Sequence, residues 1–241
     1  MRGSVGEKRF GFERLEARTV LNGTVIVTNA GSALTITGDA NSNYYQVQQT
    51  GVNPNGGVNV RVTGFATKID NLDTGKTGNS FTFTGVTSIT VDETAGGNNH
   101  VTIVGTKLAT TGDLHVDMGS GNDILAVVNA SAVDIITTLG GGNDVASFVN
   151  VRTTEGEDFT LDAGGGRDVV VLNNVHAGTS TLPANLTVEM GPGNLDQLVV
   201  VLSSADTATF SDTGGTNGIL VWKHAGNHFT AETDTGFHTV V

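Results

Sequence analysis

The sequence predicts an all-β chain wound as a single-stranded, right-handed parallel β-helix, a solenoid with roughly 21–27 residues per rung. Three observations predict it. One turn recurs three times, as Gly119-Ser120-Gly121-Asn122-Asp123, Gly140-Gly141-Gly142-Asn143-Asp144 and Gly164-Gly165-Gly166-Arg167-Asp168. An alternating run precedes each copy (114–118, 135–139, 159–163) and an apolar run follows it (124–128, 145–149, 169–172). Strand starts at Ile89, Leu114, Ile135, Phe159, Leu186, Ala208 and Phe229 are separated by 25, 21, 24, 27, 22 and 21 residues. A single rung cannot bury its apolar face, but copies stacked about 4.8 Å apart cover one another. The hand follows from crossovers between parallel strands, which are right-handed in nearly all sheets.

Residues 1–23 differ in character from the rest of the chain. They are charged, place Phe12, Leu15 and Thr19 at helical spacing, and read as a targeting or capping segment ahead of a β-helix domain over 24–241. Strands are then predicted at 24–28 and 33–37, broken by Asn29-Ala30-Gly31, and at 44–48, 58–63, 81–84 and 88–91. Residues 52–57 read as a surface loop, and counting from Thr24 gives nine or ten rungs.

Within a rung, alternation sends Leu114, Val116 and Met118 inward and His115 and Asp117 outward. Asp92, Asp117, Asp162, Glu189 and Glu232 fall at the fourth position of their strands and form an outward acidic row. The runs 124–128, 169–172 and 198–202 are apolar on both faces, which predicts a covered sheet or an association surface. The chain's last run, 229–241, is a second place for self-association, since it reads as an apolar strand without a cap.

Composition excludes several classes. Glycine makes up 34 of 241 residues without a Gly-x-y period, and only three prolines are present, so collagen is excluded. The formal charge is −12; residues 1–18 carry five basic and three acidic side chains, which leaves −14 on the body. Such a surface repels phosphate backbones, so nucleic acid is not an expected partner, while divalent cations are natural counterions. Without cysteine there are no disulfides or zinc–thiolate sites, and no apolar run is long enough to span a bilayer.

Residues 15–21 (Leu-Glu-Ala-Arg-Thr-Val-Leu), with Phe12-Glu13 upstream, resemble the LEPR-xLL motif found near the N-terminus of many bacterial extracellular and surface proteins; Ala17 replaces its Pro and Val20 a Leu. That resemblance implies export to an extracellular or cell-surface location. The recurring Gly-x-Gly-x-Asp turn resembles the nonapeptide of the repeats-in-toxin (RTX) family, whose stacked turns bind Ca²⁺ through carbonyls and aspartates. Carried onto this chain, the resemblance implies calcium ligands at Gly119, Gly121, Asp123, Gly140, Gly142, Asp144, Gly164, Gly166 and Asp168. The copies recur every 21–24 residues rather than in tandem nines, and Met118, Leu139 and Ala163 stand where the family has its first glycine.

Other readings of the turn remain open. Stacked Asn122 and Asn143 could form a ladder without metal, and Arg167 could offset part of the charge of Asp168. A fourth copy, Gly191-Pro192-Gly193-Asn194-Leu195-Asp196, carries one inserted residue that should displace its Asp. Gly96-Gly97-Asn98-Asn99-His100 lacks the Asp altogether.

Catalysis is the weaker expectation. His224 and His228 have helical zinc spacing, but Ala225-Gly226-Asn227 between them reads as a turn. His115, Asp117 and Ser120 lack a legible oxyanion element. The sequence therefore points to a non-enzymatic, calcium-binding solenoid with a surface-structural or adhesive role toward cell-surface or matrix components. The alternative is a polysaccharide-active β-helix enzyme, a lyase or hydrolase using Arg152 or Arg167 with two carboxylates.

Overall fold

A computed structural model describes residues 23–108, 112–154, 157–178, 185–192 and 196–201 in full, and residue 202 and the strands 208–211, 218–224, 231–233 and 237–240 by their backbone. The segment with the LEPR-xLL-like stretch, His228 and Phe229 lie outside the described residues. The described chain is all β, with no helix that could cross a membrane.

The N-terminal part contains β1 (Thr24–Ala30), β2 (Ala33–Gly38), β3 (Tyr44–Val52), β4 (Val58–Gly64), β5 (Lys68–Asn71), β6 (Lys76–Gly78) and β7 (Ser80–Val86). Here the expected run of solenoid rungs from Thr24 is replaced by hairpins: β1–β2, β3–β4, β4–β7 and β5–β6 all pair antiparallel. The connections explain why. Gly31 and Ser32 join β1 to β2 with φ of 61° and 75°, a two-residue turn that can only reverse the chain. These hairpins cover one end of the solenoid.

The coil proper contains β8 (Ser88–Asp92), β9 (His100–Val104), β10 (Leu114–Asp117), β11 (Ile124–Val128), β12 (Ser131–Ala132), β13 (Ile135–Thr138), β14 (Val145–Thr153), β15 (Phe159–Asp162), β16 (Val169–His176), β17 (Leu186–Glu189) and β18 (Gln197–Leu202). Strands β19 (Ala208–Ser211), β20 (Gly218–His224), β21 (Ala231–Thr233) and β22 (Phe237–Val240) extend it. Two parallel sheets result. The first stacks β2, β8, β10, β13, β15, β17, β19 and β21; the second stacks β3, β9, β11, β14, β16, β18, β20 and β22. Four successive turns, from β10–β11 to β17–β18, share one plan of short strand, tight turn and second-sheet strand. Leu114, Ile135, Phe159 and Leu186 pair in register, which makes a turn roughly 24 residues.

Inward side chains stack in columns. Leu34, Ile89, Leu114, Ile135, Phe159 and Leu186 line the first sheet, and Val47, Ile103, Val127, Phe148, Leu172 and Val200 the second, all buried. Phe148 and Phe159 meet edge to face across the core at 5.1 Å. His115 points outward as expected, whereas the last first-sheet strand starts at Ala231, two residues after the expected Phe229. Glu232 consequently pairs with Thr209 and leaves the acidic row, which runs through Asp92, Asp117, Asp162 and Glu189. On the outward face of the second sheet Ile124 and Val145 are exposed and Ala126, Val128, Val149, Val169 and Val171 half-buried, so the described residues do not fully cover that face.

The turns between the sheets stack backbone on backbone. The Gly141 N–H donates to Gly119 O (2.9 Å), Gly165 N–H to Gly140 O (2.8 Å) and Gly142 N–H to Gly165 O (2.8 Å). A Cβ at Gly121, Gly142 or Gly166 would overlap the carbonyl oxygen of the glycine one rung earlier, so side chains are excluded from this column. Gly141 differs, because nothing lies within 4 Å of its absent Cβ. Gly142→Ala should therefore destabilise the fold by about 3 kcal/mol or more, while Gly141→Ala stays within about 0.5 kcal/mol. Urea unfolding of the two variants checks this; equal losses would show that stacking distance does not select these glycines.

Candidate functional site: a buried aspartate column

The residue that closes each turn is the start of the site. It sits directly before the second-sheet strand, where the backbone N–H has no ladder partner within its own rung. The chain solves this vertically. Asn43 N–H donates to Asn99 Oδ1 (2.9 Å), Asn99 N–H to Asp123 Oδ1 (2.6 Å), Asp123 N–H to Asp144 Oδ1 (2.8 Å), Asp144 N–H to Asp168 Oδ1 (2.9 Å) and Asp168 N–H to Asp196 Oδ1 (2.8 Å). All six residues are buried. The structure thus brings Asp123, Asp144 and Asp168 into one column, as the turn spacing predicts. It also corrects the fourth copy: Asp196 is not displaced by the inserted residue but continues the column, and Asn99 fills the rung that lacks an Asp.

Each carboxylate uses one oxygen for this bond. The Oδ2 atoms of Asp123, Asp144 and Asp168 are buried and accept no hydrogen bond. The asparagine rung shows what that second position faces. Asn99 Nδ2 donates toward the turn carbonyls of Gly97 (3.3 Å) and Gly96 (3.5 Å), two and three residues upstream. An aspartate in the same register has no N–H to offer such carbonyls, and an oxygen placed against an oxygen needs a proton or a cation between them. The carboxyls respond accordingly. Burial pushes Asp123 and Asp144 up to about 6 and Asp168 up to about 7; the backbone N–H each accepts pulls the other way, and neighbouring aspartate charge adds to the rise at Asp144 and Asp168. Adjacent ionised carboxylates about 4.8 Å apart would repel by about 3 kcal/mol at an effective dielectric of about 20.

Could calcium supply the positive charge? The orphaned Oδ2 atoms and nearby turn carbonyls are hard oxygen donors, the type Ca²⁺ takes. At Gly119, Gly121, Gly140, Gly142, Gly164 and Gly166 a Cβ would run into backbone of the preceding rung, so the turns bring their carbonyls together with no side chain between them. The donor set is rich in carbonyls, with one carboxylate oxygen per turn. Among the described residues no three His, Asp or Glu side chains converge into a metal cage. Carbonyls and water would complete the coordination, and several of the carbonyls, including those of Gly119 and Gly140, already accept a rung-to-rung N–H. Arg167 lies in a separate exposed column, where Asn122 N–H donates to Asn98 Oδ1, Asn143 N–H to Asn122 Oδ1 and Arg167 N–H to Asn143 Oδ1. The asparagine ladder expected at Asn122 and Asn143 is therefore present, and Arg167 makes no ion pair with Asp168 among the described residues.

The acidic row of the first sheet serves the turn. Asp117 Oδ1 accepts the Gly119 N–H (3.2 Å), and Asp162 Oδ1 the Gly164 N–H (2.9 Å). Arg152 and Arg167, the two arginines of the polysaccharide-enzyme reading, occupy different edges, since β14 carries the chain from one to the other.

Sequence reasoning missed three features. Glu93 takes the inward position that Met118, Leu139 and Ala163 take in later turns, and it is fully buried. It accepts the Tyr45 O–H (2.7 Å) and Asn43 Nδ2 (2.9 Å), and burial raises it to about 7 against the pull of those two bonds. A second aspartate ladder, Asp113–Asp134–Asp158–Asn185, runs along another corner. A third column is of asparagine: Asn150 Nδ2 donates to Asn129 Oδ1 (3.0 Å) and Asn174 Nδ2 to Asn150 Oδ1 (2.9 Å). The signal for both ladders was available, because each repeats the spacing of the glycine turns.

No protein-family model, curated protein or solved structure matches the chain.

The column makes a signed prediction. Its carboxyls hold protons more tightly in the folded chain than at their ordinary value near 3.8, so the folded state carries more protons between about pH 4 and about pH 7. In chelator, the melting temperature should fall as pH rises through that window. Asp144→Asn keeps the acceptor for the Asp123 N–H and should flatten the fall. Asp144→Ala removes the acceptor and should cost about 1–3 kcal/mol. Calorimetry across pH reads all three, and an unchanged pH slope in Asp144→Asn would show that the column does not set the pH dependence.

Proposed function

We propose that this chain is a non-enzymatic, exported β-solenoid with a surface-structural or adhesive role, whose aspartate column is neutralised by Ca²⁺ when its carboxyls are ionised. One observation carries the reading: the buried Oδ2 atoms of Asp123, Asp144 and Asp168, which accept no hydrogen bond. Residues that would hold the ion are those aspartates, with carbonyls of the turns that contain Gly119, Gly121, Gly140, Gly142, Gly164 and Gly166. Bound there, Ca²⁺ would supply charge neutralisation, which ties one rung to the next.

A scaffold role is supported by how the carboxylates are used. Asp117 and Asp162 accept backbone N–H groups, and the column aspartates accept the N–H of the preceding rung. Each is committed to holding the coil, which is the work of a structural element and leaves little room for proton transfer to a substrate. The exported location rests on the resemblance of residues 15–21 to the LEPR-xLL motif. Exposed Ile124 and Val145, with half-buried Val169 beside them on the second sheet, offer a surface for cell-surface or matrix components.

Calcium and protons compete for the same oxygens, and this gives the test. At pH 8, millimolar Ca²⁺ added to chelator-treated protein should raise the melting temperature, by roughly 2–4 °C for each kcal/mol of linked binding energy. At pH 5 the gain should shrink. The double variant Asp144→Asn/Asp168→Asn should fold, because Asn99 already shows that an amide fits, and it should lose most of the response. A melting temperature unchanged across millimolar Ca²⁺ at pH 8 overturns the calcium reading and leaves protons as the neutralising charge.

A further inference from the structure

A groove of about 380 Å³ lies where the second-sheet strands end, at the edge away from the aspartate column. It is built from two parallel columns. In the outer one, Lys107 bridges Ser131, Ser131 pairs with Arg152 and Arg152 with His176, so four successive rungs present lysine, serine, arginine and histidine in line. The inner column is Asn129, Asn150 and Asn174, with φ of 53°, 53° and 56°. That left-handed backbone is one that asparagine tolerates better than other side-chain-bearing residues. It turns the chain at each rung, buries Val151 and leaves Arg152 exposed.

The amides form a directed chain. Asn174 Oδ1 is an acceptor, so the His176 Nε2 at 2.8 Å donates to it. Asn174 then donates to Asn150, and Asn150 to Asn129. Every dipole points the same way, each bond strengthening the next. The chain ends on Asn129, whose Nδ2 donates to no described residue and which lines the groove with Lys107. No acidic residue lines the groove, in a body whose net charge beyond residue 18 is −14. Two of that body's seven basic residues meet here, and Lys107 and Arg152 form no ion pair with any described residue.

We propose that this groove binds a carboxylated oligosaccharide, with Arg152 and Lys107 taking carboxylates and the asparagine column taking ring hydroxyls. The spacing selects that class. Lys107 and Arg152 stand two rungs apart, about 10 Å between backbones by the strand spacing, so their extended side chains can each meet a separate charge. A ligand with carboxylates spaced along a chain uses both, whereas a single small oxyanion draws the two side chains together and leaves the amides unused. Between the cations lie amides, which both donate and accept and so match hydroxyl groups. Arginine's planar fork suits a carboxylate. Nucleic acid fits less well, since no Phe, Tyr or Trp lines the groove to stack successive bases and the acidic body repels a long phosphate backbone. The volume lies in the usual range for small-ligand sites.

Calorimetric titration of the full chain at low salt tests this, with trigalacturonate, maltotriose and inorganic phosphate as probes. Trigalacturonate should bind at least tenfold more tightly than maltotriose. Arg152→Gln and Lys107→Gln should each weaken it about tenfold. Asn129→Asp, which puts a carboxylate at the end of the amide chain, should weaken it as much. Arg61→Gln, on the exposed face of β4, should change nothing, and circular dichroism should be the same for all four variants. Running each titration in chelator and again in Ca²⁺ separates the groove from the aspartate column, because groove binding should persist in both. The proposal is overturned by any of three results: equal affinity for maltotriose, phosphate binding that alone reproduces the effects of both variants, or trigalacturonate binding that is absent or indifferent to Arg152 and Lys107.

Discussion

The distance between stacked rungs governs this molecule. Once strands pair in parallel and in register, each position meets its own counterpart about 4.8 Å above and below. A side chain is then acceptable only if it is acceptable beside itself. Leucine, valine and isoleucine meet that condition inside the coil. Glycine is imposed at the turns, where the backbone of one rung rests against the carbonyl of the last and a Cβ has no place. Asparagine meets it where polar groups must stack, because an amide carries both a donor and an acceptor.

Aspartate does not meet that condition unaided. An ionised carboxylate accepts but cannot donate, so a buried column of four must import positive charge. The chain places asparagine at the two rungs nearest the hairpin end, Asn43 and Asn99, and aspartate at the four that follow. Asn43 ends the ladder by donating to the buried carboxylate of Glu93. The hairpin end is thus closed by direct hydrogen bonds, while the aspartate rungs keep an oxygen open to a proton or an ion. Exposure matters as much as chemistry: the Asn98–Asn122–Asn143 ladder has the same vertical bonds on the surface, where water serves its remaining groups.

Much of this was legible in the sequence. Alternation at 114–118 and 135–139, together with the recurring Gly-x-Gly-x-Asp turn, fixes strand direction, facing and register for the coil, and it places Asp123, Asp144 and Asp168 in line. Two things hid the rest. Between Thr24 and Val86 the strands alternate as they do elsewhere, and period-2 patterning does not distinguish a hairpin from a rung; only the short Gly31–Ser32 connection carries that information. Counting residues also fails where the backbone can absorb an insertion, as at Asp196, which remains in the column despite the longer loop. Glu93 was invisible for another reason. Its partners, Tyr45 and Asn43, are far away in sequence and become neighbours only through the packing of β3 beside β9.

The asparagine column adds a different lesson about what repetition selects. Asn129, Asn150 and Asn174 each follow a column aspartate at the same offset, and the corresponding place in the preceding rung is Gly105, also at positive φ. Backbone shape alone therefore accounts for a choice between glycine and asparagine, but not for three asparagines in succession or for lysine, arginine and histidine two residues further along. Strands β11, β14 and β16 each run from a buried carboxylate (Asp123, Asp144, Asp168) at one edge to an amide (Asn129, Asn150, Asn174) at the other. The two edges lie well beyond a Debye length of about 8 Å, so neither neutralises the other. That separation lets each edge keep its own sign of charge, so a cation held at one would not screen an anion held at the other.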